Sequence, residues 1–151
     1  MIPASLLPLI DGHDLEAAVG HTFLLLTARA DAEPHAALLS AGEVLAVDGR
    51  LRLALWPGST TTANLTATGK ATLLAVVPPA THHLRLEARR LPDLSVKGKP
   101  RAFFEAEVVA VREDVVAYAR VTSGIRFELV DQRATVASWR AAVEAMRGEA
   151  K

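Results

Sequence analysis

Between two apolar, strand-like stretches the chain carries Pro57-Gly58-Ser59-Thr60-Thr61-Thr62-Ala63-Asn64, a run of hydroxyls that ends near Gly69-Lys70. If Ser59 to Thr61 open a helix, free main-chain amides and side-chain hydroxyls converge there, which is the chemistry of an anion site. The aligned terminal peptides add a positive field. Gly58 permits close approach of the backbone, and Asn64 offers a second polar edge. Ordinary helix capping with solvent-facing threonines accounts for the same residues equally simply. A nucleotide-binding P-loop is excluded, because no Gly-x-x-x-x-Gly-Lys-Ser/Thr run is present.

Other candidate residues carry weaker signals. His82 and His83 are adjacent, so a strand sends them to opposite faces, and neither they nor His13, His21 and His35 form a His-Glu-x-x-His pattern. The expectation is structural or surface histidines and no metal. The serines lie in no nucleophile elbow. Glu105 and Glu107 share a strand face and read as solvated or ion-paired. Lys97, Lys99 and Arg101 form the densest basic cluster, suited to a cofactor phosphate or to a solvated loop. No side chain stands out as a catalytic acid or base.

These groups sit in 151 residues with 50% apolar and 5% aromatic content and no cysteine. A chain of this length buries roughly 68–70% of its unfolded surface as one domain. Disulfides and thiolate ligation are excluded. Seventeen basic and seventeen acidic side chains cancel, which argues against a nucleic-acid partner. Met1-Ile2-Pro3-Ala4-Ser5 lacks the basic start of a secretory signal, and no apolar run reaches the length of a membrane span. A soluble cytoplasmic protein is expected.

Short helical pieces are expected over Ser5 to Ile10 and Asp14 to Val19, with Ser5 or Asp11 as a cap. Strands follow at Phe23 to Ala28, Ala36 to Leu39, Val44 to Val47 and Leu51 to Trp56. Asp48-Gly49 is a two-residue hairpin signal, since both residues tolerate positive φ. A helix from Ser59 to Thr68 closes at Gly69, although three consecutive threonines favour it poorly. Residues 70–77 return to strand and Pro78-Pro79 ends it. Alternation from His83 to Arg89 marks another strand, Pro92 to Pro100 a polar excursion, and Ala102 to Val111 a long strand. Asp114 to Arg120 reads as helix or loop, and Ile125 to Val130 as a late strand. Asp131 caps a last helix with Val136, Trp139, Val143 and Met146 on one face. About seven short strands with few helices predict a mainly β protein, a closed or partly closed barrel with short peripheral helices and a C-terminal helix.

The stretch from Pro34-His35-Ala36-Ala37-Leu38-Leu39-Ser40 through Asp48-Gly49-Arg50-Leu51-Arg52-Leu53 to Trp56–Leu65 and Thr68–Leu74 resembles the FMN-binding split-barrel family that includes pyridoxamine 5'-phosphate oxidase. The resemblance covers roughly residues 13–90. It implies a split β-barrel over residues 1–151, a homodimer, and a flavin at the subunit interface. Ser59 matches a recurrent phosphate-contacting serine, and Ser59, Thr60, Thr61 and Asn64 would hold the phosphoryl end. The backbone at Leu39 and Ser40 would contact the flavin. Thr60 and Thr61 stand where the oxidases carry an Arg-Lys pair, and Ala36 and Ala41 also replace basic residues. Those changes remove charge-assisted phosphate contacts, leaving Lys70, Arg85 and Lys97 as replacement cations from elsewhere in a dimer. The implied function is FMN-dependent hydride or electron transfer on a small-molecule substrate. The alternative is a non-catalytic split-barrel dimer that has lost flavin or binds another planar ligand.

Overall fold

The computed structural model describes residues 1–148. Seven antiparallel strands run β1 Phe23–Thr27, β2 His35–Leu39, β3 Val44–Val47, β4 Arg50–Leu55, β5 Lys70–Val77, β6 Ala80–Val96 and β7 Lys99–Asp114. Helices are α1 Leu7–Ile10, α2 Thr60–Thr68 and α3 Gln132–Arg147, with a 3-10 turn at Ala4–Leu6. The sheet order is β2-β1-β5-β6-β7-β4-β3.

That order forces the sheet to curl. β2 and β3 are its two edges, yet only Ser40 to Glu43 join them. A flat seven-stranded sheet would hold its edges about 29 Å apart at the usual strand spacing, whereas five Cα steps reach about 17 Å. The edges therefore swing toward each other, and the concave side becomes the core. Every strand contributes to it, through Leu25, Leu39, Val44, Leu53, Leu73, Leu84 and Phe104, and Leu6, Ile10 and Leu65 join from the helical pieces. This is a split-barrel arrangement with short helices and a C-terminal helix.

The convex side is covered on one half only. Asp131 accepts from the Ala134 amide at 3.1 Å and starts α3, a cap of about 1 kcal/mol. The Val136, Trp139, Val143 and Met146 stripe lies on Leu45, Ala54 and Phe103 of β3, β4 and β7. Arg52 Nη1 donates at 2.6 Å to the Met146 carbonyl, satisfying the negative end of the helix. The α3 stripe is thus spent inside the protomer. On the other half, the cross-strand rows Leu38–Leu24–Leu74 and Ala36–Leu26–Thr72 of β2, β1 and β5 lie away from α3, whose main contacts are with β6, β4 and β3.

Two of the hairpin turns are two-residue loops at positive φ. Asp48 and Gly49 adopt 52° and 75° between β3 and β4, and Lys97 and Gly98 adopt 50° and 77° between β6 and β7. The second turn corrects the expected polar excursion. Pro92 to Pro100 is the distal part of a long hairpin arm, interrupted by a register shift between Leu91 and Leu94. The arm persists because Val96 and Leu94 pack on Ala142 and Ala145 of α3, a contact invisible to local pattern. Accordingly, β6 and β7 span 17 and 16 residues rather than being short.

Three other expectations fail. Asp14 to Val19 is a series of turns, not a helix, with Ala18 N to Leu15 O at 3.2 Å and Val19 N to Glu16 O at 3.3 Å. So short a segment, bounded by Gly12 and Gly20 at positive φ, recovers too little to offset nucleation. Neither Ser5 nor Asp11 caps a helix through its side chain; Asp11 instead ends α1 and accepts from the His13 amide at 2.9 Å. Ile125 to Val130 forms no strand. Phe127 and Leu129 do pack beside α3, but β1 is already paired on both sides. The segment makes a single bridge, His21 with Arg126. Asp114 to Arg120 continues as irregular chain after β7 ends.

Candidate functional site

The hydroxyl run opens α2 as its composition predicts. Ser59 is extended at φ −80° and ψ 155°, its Oγ accepts from Thr62 N, and Gly69 closes the helix at φ 66°. Most of the run is consumed by that role. Thr62 Oγ1 donates to the Trp56 carbonyl at 2.6 Å and accepts from Ser59 Oγ at 3.1 Å. Thr66 and Thr68 bond back to the Thr62 and Asn64 carbonyls. Asn64 is buried, and its Nδ2 donates to Thr27 Oγ1 of β1 at 3.2 Å. These bonds hold a helix that threonine propensity alone would not.

Two features remain free. Thr61 Oγ1 is buried without a hydrogen-bond partner. Thr60 is exposed at the first helical position, where its amide and that of Thr61 lie beyond the reach of the intrahelical ladder. Thus Ser59, Thr60, Thr61 and Asn64 share one short helix, but only Thr60 and Thr61 present unspent groups.

Leu39 and Ser40 are placed at the end of edge strand β2. The Leu39 side chain is buried in the barrel, so only its main chain is available to a ligand. Ser40 donates through both N and Oγ to Glu43 Oε1, at 3.1 and 3.0 Å. Burial pushes the Glu43 carboxyl above its ordinary value, against the Ser40 hydrogen bonds and the Arg101 charge. The folded state therefore holds the Glu43 proton more tightly than the unfolded chain. Its contribution is full below the ordinary carboxyl value and is lost as pH rises from there through the raised folded-state value. In Glu43→Gln that decline disappears. Urea unfolding from pH 4 to 8 should show the wild type losing stability relative to the variant as pH rises; parallel profiles would contradict this.

Ser40 and Glu43 line a cleft of about 460 Å³ between the β6–β7 arm, the β2–β3 corner and the first half of α3. Trp56, Lys97, Lys99 and Arg101 line it too. Arg101 Cζ lies 3.9 Å from the Trp56 ring centroid. Sequence reading singled out these cations as a cluster; it missed Glu43, whose only local signal is its spacing from Ser40. Lys70 and Arg85 line a different cleft of about 420 Å³ beside Leu26 and Thr72 on the bare convex half.

Other candidates are held in ion pairs or buried. Glu105 sits between Arg52 and Arg89 across β4, β7 and β6. The Arg89 hydrogen bond, helped by Arg52, holds its carboxyl below the usual range. Glu107 pairs with Arg50 at 3.2 Å. His83 pairs with Asp114 at 2.9 Å, while His82 is buried on the opposite face. Among the described residues, no group of three His, Cys, Asp or Glu side chains is placed to hold a metal. No described helix is long and apolar enough to cross a membrane.

The curled sheet, the capped helix after β4 and the long hairpin give a split-barrel fold that resembles the pyridoxamine 5'-phosphate oxidase-like superfamily. Solved structures agree at low identity. HupZ of Group A Streptococcus gives a TM-score of 0.55 at 13% identity, over 82% of this chain and 100% of that one. An F420 reductase gives 0.53 at 12%, over 74% and 98%. A Listeria innocua protein assigned by name as a pyridoxamine 5'-phosphate oxidase gives 0.50 at 16%, over 66% and 90%. At 12–16% identity the likeness carries fold alone. No family model matches the chain. It is 36% identical over 143 residues to "Uncharacterized protein YclD" of Bacillus subtilis, covering 94% of this chain and 93% of that protein. The chain belongs to the YclD family.

Proposed function

We propose that this protein is a cytoplasmic, single-domain homodimeric FMN-binding split barrel whose flavin phosphate rests on the N-terminus of α2. The observation that carries the reading is the pair of unspent amides at Thr60 and Thr61, beside the partnerless Thr61 hydroxyl, in a nine-residue helix of this fold. They fit a phosphate through dipoles and hydrogen bonds. The main chain at Leu39 and Ser40 lies on an edge strand with one row of groups open to the flavin. Bound FMN supplies hydride or electron transfer to a small-molecule substrate. The protein's part is to orient the ring and to cover it with the second subunit.

A substitution tests the amides without dismantling the helix. Proline is tolerated at the first helical position and lacks the N–H. The extended Ser59 already suits a following proline. Wild-type protein incubated with FMN and desalted should keep flavin absorbance with quenched fluorescence, and Thr60→Pro should weaken retention about tenfold, one charge-assisted hydrogen bond's worth. Colourless wild-type protein would sink the reading. The second reading, a dimer without flavin, draws on one observation: Ser59, Thr62 and Asn64 already satisfy one another and their neighbours. The same titration separates the two.

A further inference from the structure

Among the described residues a single ionisable side chain is almost wholly removed from solvent. It is His82, at 2% exposure. Alternation along β6 turns it to the concave side, opposite His83, and it pairs across the sheet with Ala75 of β5 and Glu113 of β7. An apolar side chain would fill that place without loss, whereas a buried imidazole gives up hydration that only hydrogen bonds return. Both ring nitrogens face reactive groups. Nε2 lies 3.4 Å from Ser5 Oγ, 77 residues away in the chain. Nδ1 lies 3.9 Å from Glu113 Oε2 and has no hydrogen bond of its own.

These contacts decide where the proton sits. A carboxylate beside Nδ1 favours the tautomer protonated on that nitrogen, which leaves the Nε2 lone pair facing Ser5. The Ser5 hydroxyl then donates to Nε2. Acid to Nδ1 and nucleophile to Nε2 is the connectivity by which a histidine activates a serine. Ser5 is open to attack from solvent. It is exposed on the 3-10 turn, its side chain caps nothing, and Leu6 and Ile10 anchor that segment in the barrel core. Its amide makes no main-chain hydrogen bond among the described residues, so it is free to donate to an oxyanion on the carbon that Oγ attacks. Ser5 lies outside both clefts described above, and an open site suits a small ester arriving from solvent.

We propose that Ser5, His82 and Glu113 form a hydrolytic triad for small acyl esters. Ser5 is the nucleophile, His82 the general base and Glu113 its positioning residue. Ser5 Oγ bonds to the carbonyl carbon while Nε2 takes the hydroxyl proton. The ester C–O bond then breaks, and Nε2–H returns the proton to the leaving alkoxide. Water attacks the acyl-Ser5 by the same route, releasing the carboxylic acid and restoring the serine. Glu113 holds the Nδ1 proton throughout. Its side chain is 58% exposed, so a rotation closes the gap, as catalytic hydrogen bonds commonly do when substrate arrives. The site shares no residue with the phosphate seat on α2 and does not rest on the flavin reading.

p-Nitrophenyl acetate and an alkyl fluorophosphonate are the probes, used on the full chain without added FMN. Wild type should turn over the ester, and the fluorophosphonate should add to Ser5, located by peptide mass spectrometry. Ser5→Ala should lose the adduct and at least about a hundredfold in rate, the share of a positioned general base and its nucleophile. Ser123→Ala, at another exposed serine, should keep both. Glu113→Gln should lower kcat with KM little changed, and NMR of the His82 ring nitrogens should show the Nδ1–H tautomer in wild type. Thermal unfolding establishes that each variant is folded. Because His82 is part of the core, Ser5→Cys supplies a second route. The chain has no cysteine, so this variant places its one thiol beside Nε2, and iodoacetamide should alkylate it faster than the thiol of Ser123→Cys.

A folded wild type whose Ser5 ignores the fluorophosphonate would overturn the proposal. So would equal ester hydrolysis by wild type and Ser5→Ala, or equal alkylation of the two thiols. An Nε2–H tautomer would overturn it too, since His82 would then only tether the N-terminal turn to the barrel.

Discussion

Gly42→Ala is expected to destabilise the protein by about 3 kcal/mol, the upper end of the usual cost of overpacking. Gly42 lies in the four-residue link that joins the two sheet edges, directly against Trp139 of α3. A Cβ there would overlap Trp139 Cδ1, stand 2.6 Å from Cγ and lie 3.0 Å from Cβ. Trp139 has little room to retreat, being 7% exposed and edge-on to Phe127 with ring centroids 6.4 Å apart. Its removal is costly too: Trp139→Ala should lose about 3–5 kcal/mol of burial and packing. The informative result is their coupling. In the Trp139→Ala background the added methyl meets no indole, so Gly42→Ala should become nearly neutral, giving an interaction energy of about 2–3 kcal/mol. Urea unfolding of the four proteins measures this. Equal costs in both backgrounds would mean that the link yields and that α3 does not fix its path. Against a total stability of about 5–15 kcal/mol for a domain this size, either single change is severe.

Leu38→Arg is expected to separate the proposed dimer into monomers. Leu38 is 54% exposed in the row Leu38–Leu24–Leu74, on the half of the convex face that α3 leaves bare. A contiguous apolar sheet face without a covering layer marks an interaction surface, and a second copy of the same face would cover it isologously. A buried, unpaired guanidinium on each side should cost about 3 kcal/mol or more, at least a hundredfold in the dimer dissociation constant. Light scattering should give wild type near twice the 16.1 kDa chain mass and the variant near that mass. If flavin lies between subunits, FMN retention should fall with the dimer. A wild-type monomer at micromolar concentration would remove both the dimer and the shared-flavin arrangement.

The elements that sequence made legible are those whose signals are local. Asp48-Gly49 specified its hairpin through the φ values its residues tolerate. Ser59 and Gly69 marked the ends of α2, and the Val136–Met146 stripe marked the buried face of α3. The Asp14 to Val19 helix failed for a local reason, its shortness between two glycines, but two larger errors arose where pairing or packing partners lie far away in the chain. Ile125 to Val130 has a strand's alternation but met a β1 with no free edge. Pro92 to Pro100 has a loop's composition but became strand because α3 supports it.

The candidate site divides along the same line. Residue types alone indicated that a helix start at Ser59 has anion-binding chemistry, because capping and end amides are properties of a single turn. They also showed that the charged Arg-Lys pattern of the resembling oxidases is missing at Thr60 and Thr61. Only tertiary structure decided which hydroxyls are free, since Asn64 is taken by Thr27 and Thr62 by the Trp56 carbonyl. It alone gathered Ser40, Trp56, Lys97 and Arg101 around one cleft, because a curled sheet and a long arm bring together the ends of β2 and β4 and the tip of the β6–β7 hairpin. Charge and hydroxyl content are written residue by residue, but whether a group is satisfied depends on distant neighbours, and those are set by the closure of the sheet.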